Sequence, residues 1–267
     1  MRLRTLVAMA AILLGTAPGP TARPATVRIL VLNMHAGRDA AGNSNLGDIA
    51  ALVKSTDADL VLLQEVDRGT NRSGGTDQVE VLQKHTKYDA AFGASLLRYD
   101  GGEYGIALLS RGGIGYQSTI PLPVAPAQTR AGGSHEPRIA QLVLTAVHGD
   151  NWYVLNTHLD PSEGQARAQE VARLIDRVAL QRAGSTPFVV GGDFNSTPED
   201  PVQQTLKTAG LRDAWLECGQ GDGFTYPADA PRKRIDYLFL TGNLHCSAAR
   251  VIDTRISDHR PVLVTLK

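Results

Sequence analysis

FVVGGDFNSTP, residues 188–198, joins an apolar run to a polar cluster, and the rest of the chain repeats this pattern. The run that ends near Gly191 has the composition of a buried strand, and Asp193 and Asn195 follow it directly. A buried strand that delivers a carboxylate or an amide at its end departs from ordinary core patterning. Such departures are expected mainly at functional sites.

Five further segments place a polar group at the end of, or inside, a stretch rich in Val, Ile and Leu. They are Asn33 in VLNMH, Gln64 and Glu65 in LVLLQEVD, His158 in YVLNTHLD, Asp236 in RIDYLFL, and Asp258 with His259 in ISDHRPVLV. A single segment has a plain structural explanation, since GDFN can be a turn that caps the next helix and SDH can be an N-cap. Six such segments favour one shared site.

Alternating strand and helix patterns predict the fold. We predict strands at 27–33, 59–65, 88–92, 104–110, 114–120, 139–147, 152–158 and 187–191, two or three strands near the C-terminus, and helices at 46–55, 78–86, 163–182 and 200–209. The third helix is expected to stop at Gly184. This order predicts an α/β (α+β) fold in which two sheets pack face to face with helices outside. Because no linker is evident, residues 26–267 are predicted to form one domain.

Composition places few limits on the function. The chain has 267 residues, of which 42% are hydrophobic and 20% are charged, so it can bury a substantial core. Its formal net charge is zero. A chain that begins at Ala25 keeps 24 basic and 27 acidic residues, which gives a formal charge of −3. A protein that binds nucleic acid is expected to have a basic face, and this net charge does not indicate one. A nuclease with a local basic patch is still compatible with it.

The N-terminus has the pattern of a secretory signal. Arg2 and Arg4 precede an apolar stretch, residues 6–14, and small residues and prolines follow as far as Ala25. The apolar stretch is about half of the ~20 residues that cross a bilayer. We therefore predict a cleaved signal at residues 1–25, cut between Ala17 and Ala25, and a secreted or periplasmic protein.

Cys218 and Cys246 are the two cysteines of the chain. In an exported protein two thiols favour one disulfide, here across the FTYPADAPRKRIDY segment. Two separate buried thiols remain the alternative, because the sequence does not give the distance between them.

The polar clusters supply the groups that phosphoryl chemistry needs. Carboxylate and amide oxygens are ligands that Mg²⁺ prefers, usually with few protein ligands and several waters. Asn33 and Glu65 fit this description, with Asp258 as a further ligand or as a partner behind them. His158 and His259 can serve as general acid or general base near neutral pH.

Each imidazole needs a partner that fixes its tautomer. We predict Asp236 as the partner of His259, and Glu103, in GGEYGIALLS, as the partner of His158. Asp193 would orient or deprotonate a water, and Asn195 would donate to a phosphate oxygen. This set of groups suits in-line displacement at phosphorus.

The ordered motifs VLNMHAG, LLQEVD, EYGIALLSR, LNTHLD, GGDFNSTP, RIDYLFL and SDHRPV resemble the endonuclease/exonuclease/phosphatase superfamily. That superfamily includes DNase I-like nucleases, abasic-site endonucleases, inositol polyphosphate 5-phosphatases and neutral sphingomyelinases. The resemblance runs from about Val27 to the C-terminus and is closest to a bacterial branch of exported metal-dependent hydrolases. It implies a DNase I-like four-layer α/β/β/α sandwich with the active site at one end.

The resemblance also implies roles for individual residues. It assigns metal binding to Asn33, Glu65 and Asp258. It assigns catalysis to Asp193 and Asn195, which activate water and orient phosphate, to His158, which binds phosphate or acts as an acid, and to the pair Asp236 and His259. Glu103 matches the carboxylate that DNase I-like members place behind the first histidine.

The expected activity is that of an exported Mg²⁺-dependent phosphoesterase, with Mn²⁺ or Ca²⁺ as alternative metals. It would hydrolyse a phosphodiester or a phosphomonoester by direct attack of water. A DNase I-like endonuclease acting on DNA and a sphingomyelinase-like phospholipid hydrolase are the alternatives. The expected partner is thus a small phosphodiester, a phospholipid head group or nucleic acid, with no obligate protein partner and a monomeric chain. A non-catalytic phosphate-binding module is a further alternative, whereas a metallopeptidase would lack an HExxH-like zinc motif.

Overall fold

The computed structural model describes residues 26–181 and 185–267. The strands are β1 Val27–Asn33, β2 Leu60–Arg68, β3 Asp89–Tyr99, β4 Gly102–Ser110, β5 Ile114–Pro121, β6 Ile139–Val147, β7 Asp150–His158, β8 Phe188–Asp193, β9 Arg212–Asp213, β10 Asp236–Leu240, β11 Cys246–Val251 and β12 Val262–Leu266. The helices are α1 Leu46–Thr56, α2 Gln78–Thr86, α3 Gly164–Gln181, α4 Pro201–Thr208 and α5 Ala214–Cys218.

Two mixed six-stranded sheets form the centre of the fold. The first has the strand order β11-β12-β1-β2-β4-β3, and the second has the order β5-β6-β7-β8-β10-β9. Each sheet contains one parallel pair, β1 with β2 and β7 with β8, and a helix connects the two strands of each pair. Parallel strands joined by a helix run in the same direction, so their carboxyl ends lie at the same edge of the sheet.

Three apolar clusters hold the layers together. Residues that face each other between the sheets, such as Val31, Leu62 and Val189, form the central cluster. Helices α1 and α2 pack on the outer face of the first sheet, and α3 and α4 pack on the outer face of the second. The order of layers is therefore α/β/β/α. The predicted fold class is confirmed.

Local sequence signals account for several helix boundaries. Asp77 caps α2 by accepting hydrogen bonds from the backbone N–H groups of Val79 and Glu80. Asp200 caps α4 by accepting from the N–H of Val202, and Pro201 occupies the first helical position.

Some predicted boundaries differ from the observed ones. Strand β3 runs to Tyr99, well beyond the predicted end at 92, because it pairs with β4 through two register irregularities. The short elements β9 and α5 were not predicted. The predicted signal at residues 1–25 and the predicted helix stop at Gly184 lie outside the described residues.

Cys218 at the end of α5 and Cys246 at the start of β11 form a disulfide, with 5.8 Å between their Cα atoms. The bridge closes a loop of 28 residues that carries Tyr226, Lys233 and Asp236. Within the described part of the chain, no helix is both long and apolar enough to cross a bilayer.

Candidate active site

Glu65 lies at an irregular position in β2. The pairing of β2 with β4 shifts register between Leu63 and Val66, and the backbone of Glu65 adopts φ 55°. A non-glycine residue in this left-handed region is strained, and such bulges commonly re-aim a side chain beside an active site. Here the side chain of Glu65 accepts a hydrogen bond from Nδ2 of Asn33, at 3.1 Å.

Asn156 of the second sheet forms hydrogen bonds with the backbone and side chain beside this bulge. Its Nδ2 donates to the carbonyl oxygens of Leu63 and Ala107, at 3.1 and 3.0 Å, and its Oδ1 accepts from Nε2 of Gln64 at 2.7 Å. Gln64 and Asn156 are fully buried. The asparagine of the LNTH motif therefore supports the Glu65 bulge from across the interface between the sheets.

Three polar residues stand in one row at the edge of the second sheet. His158 of β7 and Asp236 of β10 are both register partners of Asp193 of β8. Gly192 allows the close approach of β7 to β8, because a Cβ there would lie 1.9 Å from the carbonyl oxygen of Thr157. The GGD motif thus serves to bring Asp193 against its neighbours.

The segment before β12 completes the site. The hydroxyl of Ser257 donates to the carbonyl oxygen of Asn33, which fixes the SDH segment against the end of β1. Asp258 lies beside His35, with 3.8 Å between Oδ1 and Nδ1. Nδ1 of the buried His259 lies 2.9 Å from Oδ2 of Asp236, and the ring of Tyr226 packs on the His259 ring with 4.8 Å between the centroids.

These groups surround one pocket of about 350 Å³. Six of the predicted site residues line it: Glu65, His158, Asp193, Asn195, Asp258 and His259. The other two, Asn33 and Asp236, contact lining residues through the hydrogen bonds given above. The structure therefore brings all eight predicted residues together. Tyr226, Lys233 and the 132–138 segment form the walls.

Asp193 and His259 form a buried pair with an unusual charge balance. Burial lowers the pKa of His259, but the negative charges of Asp236 and Asp193 outweigh it and raise that pKa to about 10. Burial, followed by the charge of Asp236, raises the pKa of Asp193 to about 7. His259 is therefore a cation at neutral pH. The pKa of Asp193 lies near neutral pH, which suits a general base.

His158 has the opposite electrostatic environment. Burial, followed by the positive charges of Arg138 and His259, holds the pKa of His158 well below its usual value. Nδ1 of His158 lies 2.9 Å from the guanidinium of Arg138, and Nε2 lies 3.5 Å from Oδ2 of Asp193. The two histidines of the site thus differ in charge, His158 being neutral and His259 protonated.

Glu103 does not stand behind His158, so this prediction is wrong. Successive side chains of a strand point to opposite faces. The side chain of Tyr104 is buried, and that of Glu103 is partly exposed and pairs with Arg68 at 3.4 Å. Arg138 holds His158 instead. Because β6 and β7 pair antiparallel, the residue that precedes β6 lies beside the end of β7, and this pairing is the signal that points to Arg138.

Hard oxygen ligands suit a divalent cation in this pocket. Asp193, Asp236 and His259 form a group in which one ligand atom from each lies within 4.8 Å of the others. Nδ1 of His259 and Oδ2 of Asp236 already contact each other at 2.9 Å. The carboxylates of Glu65 and Asp258 line the pocket with no such imidazole partner at hydrogen-bond distance, and hard cations prefer oxygen donors. The donor set thus fits a hard divalent cation at Glu65, with Asp258 and Asn33 nearby.

Comparison with known proteins agrees with this geometry. The family described as Endonuclease/Exonuclease/phosphatase family matches residues 30–259. The chain belongs to this family. Its members hydrolyse phosphoester bonds.

Solved structures share the endonuclease/exonuclease/phosphatase fold. An endonuclease/exonuclease/phosphatase from Beutenbergia cavernae is 23% identical, with a TM-score of 0.77 over 91% of this chain and 71% of that one. A mannosyl-6-phosphatase from Bacteroides thetaiotaomicron is 19% identical, with a TM-score of 0.74 over 90% of this chain and 99% of that one. The human protein angel homolog 2 is 28% identical over an alignment of 194 positions, which covers 64% of this chain and 32% of that protein. The chain thus spans about a third of that curated relative.

Proposed function

We propose that the chain is a Mg²⁺-dependent phosphoesterase that hydrolyses its substrate by direct attack of water. The observation that carries the proposal is the contact of Asp193 with two histidines of different charge. Its Oδ2 lies 3.5 Å from Nε2 of His158 and 3.7 Å from Nε2 of His259. In this arrangement the carboxylate can hold a water while the neutral and the cationic imidazole donate to phosphate oxygens.

Each residue of this group has its own part in the reaction. Asp193, with a pKa of about 7, accepts the proton of the attacking water. His259, held protonated by Asp236, stabilises the negative charge of the phosphoryl group. His158 donates to a phosphate oxygen. The side chain of Asn195, which donates to the carbonyl oxygen of Leu159, is held beside His158 for the same purpose.

Glu65, Asp258 and Asn33 would hold the cation. When bound, Mg²⁺ neutralises phosphate oxygens and the charge that develops on the leaving oxygen. We expect EDTA to abolish turnover and Mg²⁺ to restore it, with Mn²⁺ and Ca²⁺ assayed in the same way. Glu65→Gln should raise the Mg²⁺ concentration that gives half-maximal rate. An unchanged metal requirement in that variant would contradict the assignment.

Small phosphoesters are the substrate class that we rank first, as diesters or monoesters. The pocket volume of about 350 Å³ falls in the range of small-ligand sites, roughly 300–1,000 Å³. Lys233 adds one cation at the wall. The mannosyl-6-phosphatase among the structural neighbours is named for a sugar phosphate, which supports the same class. DNA and phospholipid head groups are the alternative substrates.

Nicking of supercoiled plasmid by the purified protein in Mg²⁺ separates these substrate classes. EDTA and His158→Ala are the controls, and a panel of small phosphodiesters, sugar phosphates and sphingomyelin vesicles is assayed in parallel. Metal-dependent nicking that is lost in the variant would make DNA a substrate. Turnover of small esters without nicking would support our ranking. No turnover of any phosphoester would contradict the proposal and favour a binding module.

We also propose that the chain is exported and acts as a monomer. The signal-like pattern at residues 1–25 and the disulfide between Cys218 and Cys246 support export, because disulfides persist mainly in oxidising compartments. Expression of the full chain in a bacterial host, followed by mass analysis of the periplasmic form, tests this. An uncleaved chain confined to the cytoplasm would contradict it, and sedimentation gives the oligomeric state.

A further inference from the structure

Arg138 lies directly behind the catalytic imidazole of His158. It precedes β6 by one residue and is 3% exposed, and His158 is 5% exposed. The terminal nitrogen Nη1 of Arg138 lies 2.9 Å from Nδ1 of His158. A guanidinium only donates hydrogen bonds and has no acceptor. Nδ1 of His158 must therefore accept, and the single proton of the neutral ring is then on Nε2.

The contact on the other side of the ring agrees with this assignment. Nδ2 of Asn195 lies 3.1 Å from Nε2, but a neutral imidazole has one acceptor nitrogen and cannot accept on both sides. Nδ2 has another acceptor, the carbonyl oxygen of Leu159 at 2.9 Å. The charge-assisted bond from Arg138 is the stronger of the two. Two N–H groups, from His158 and Asn195, are thus left side by side at the pocket, an arrangement that suits an anionic oxygen.

Glu136 neutralises the buried positive charge of Arg138. Its Oε1 lies 2.9 Å from Nη1 of Arg138, and its other oxygen accepts from the backbone N–H of Gly132. A buried charge without a partner costs several kcal/mol, so Glu136 and Arg138 stabilise each other. The same carboxylate ties the 122–137 loop to the residue behind the histidine.

We propose that Arg138 is a positioning residue that keeps the proton of His158 on Nε2, so that this histidine donates to a phosphate oxygen and does not act as a base. The proposal rests on the proposed phosphoester hydrolysis. A carboxylate behind the ring would give the opposite tautomer, with the proton on Nδ1 and a free lone pair on Nε2. Arginine in this place therefore separates the two tasks: His158 binds phosphate, and Asp193 activates water.

The tautomer of His158 is measurable without any substrate. The full chain is labelled with ¹⁵N-histidine, and long-range ¹H–¹⁵N correlation spectra are recorded at neutral pH, with His158 assigned by its absence in His158→Gln. We expect an acceptor-type Nδ1 and a protonated Nε2. A protonated Nδ1 in the wild-type chain would overturn the proposal, whatever the enzyme is found to hydrolyse.

Kinetics then separate a positioning role from direct contact with substrate. Arg138→Met should lower kcat/KM by about 10- to 100-fold, with partial recovery in Arg138→Lys, which keeps a donor. Adding Arg138→Met to His158→Ala should cause little further loss, because both changes remove the same interaction. Fully additive losses would contradict the proposal.

Two further variants control for a folding defect and for the loss of a guanidinium elsewhere. Arg138→Met combined with Glu136→Gln removes both buried charges, so that a folding defect in the single variant does not obscure the result. Arg68→Met removes the partly exposed guanidinium that holds Glu103, and it should leave the His158 resonances unchanged. Activity lost in every form, with the expected tautomer still observed, would contradict the proposed function alone.

Discussion

Nδ2 of Asn33 lies 3.0 Å from Oδ2 of Asp193, across the interface between the two sheets. Asn33 ends β1 and Asp193 ends β8, and 160 residues separate them in the chain. The same amide nitrogen donates to Glu65 at 3.1 Å. One buried side chain therefore joins the carboxylate of the proposed metal site to the carboxylate of the proposed base.

Asn33→Ala should weaken both functions of the site together. Without the amide, two neighbouring carboxylates lose their shared donor, and a hydrogen bond to a charged group contributes about 1.5–3 kcal/mol. We expect kcat/KM to fall by about 10- to 100-fold and the apparent affinity for Mg²⁺ to fall with it. Asn43→Ala is the matched control, since Asn43 bonds only within an exposed loop. An equal loss in the control would contradict the prediction.

Asn156→Leu should destabilise the fold as well as the site. The change removes the side-chain donor from the buried carbonyl oxygens of Leu63 and Ala107, at a cost of about 1–3 kcal/mol each. Urea unfolding should therefore give a free energy of unfolding about 2–6 kcal/mol lower. Asn151→Leu, an exposed position in the same strand, is the control. If both variants unfold at the same urea concentration, the role given to Asn156 is wrong.

Asp236→Asn should reduce stability in a pH-dependent way. The pKa of His259 is raised from 6.5 to about 10 in the folded chain, so the attraction to Asp236 stabilises fully below pH 6.5 and fades as the pH rises through 10. The gap in free energy of unfolding between wild type and variant should thus be largest near pH 6, on the order of a few kcal/mol, and should shrink by pH 10.

Thermal unfolding in EDTA at pH 6, 8 and 10 measures that gap without a contribution from bound metal. Asp48→Asn, an exposed position on α1, should show no such dependence. A gap that widens as the pH rises would have the wrong sign and would exclude a protonated His259.

His158→Ala and Asp193→Ala should each lower kcat by orders of magnitude, because one removes a phosphate donor and the other removes the base. The two losses should be far from additive in the double variant, since both residues serve the same transition state. Single-turnover rates on the best substrate provide the measurement, with His85→Ala as an exposed control. Near-wild-type turnover in both single variants would refute the proposed mechanism.

Replacing Cys218 and Cys246 by serine should lower stability more than activity. Closing a loop of 28 residues stabilises a fold by about 2–4 kcal/mol. Neither cysteine lines the active-site pocket, so the folded variant should keep most of its kcat/KM. Dithiothreitol should lower the Tm of the wild type toward that of the variant and leave the variant unchanged. A drop of equal size in both would show that the reductant acts elsewhere.

Sequence reasoning reached the site because each residue of it interrupts an apolar run. Asn33, His158 and Asp193 end buried strands and Glu65 interrupts one, and these breaks are visible without a structure. Their convergence follows from the parallel pairs β1–β2 and β7–β8, whose carboxyl ends share an edge.

The error at Glu103 has a simple physical origin. Period-two alternation decides which of Glu103 and Tyr104 faces inward, and the irregular pairing of β4 with both neighbours hides that choice in the sequence. Arg138 was missed for a related reason: it precedes its strand, where a basic residue is ordinarily a solvated charge.

The sequence by itself determined the alternation of strands and helices, the layered fold and the eight residues that meet in the pocket, because hydrophobic periodicity and its interruptions are local properties. Tertiary structure alone decided which groups touch. It placed Arg138 rather than a carboxylate behind His158, set Asn156 against the bulge at Glu65, and made one of the two histidines neutral and the other a cation. Those outcomes depend on distances of a few ångströms between distant segments, and burial amplifies their electrostatic consequences.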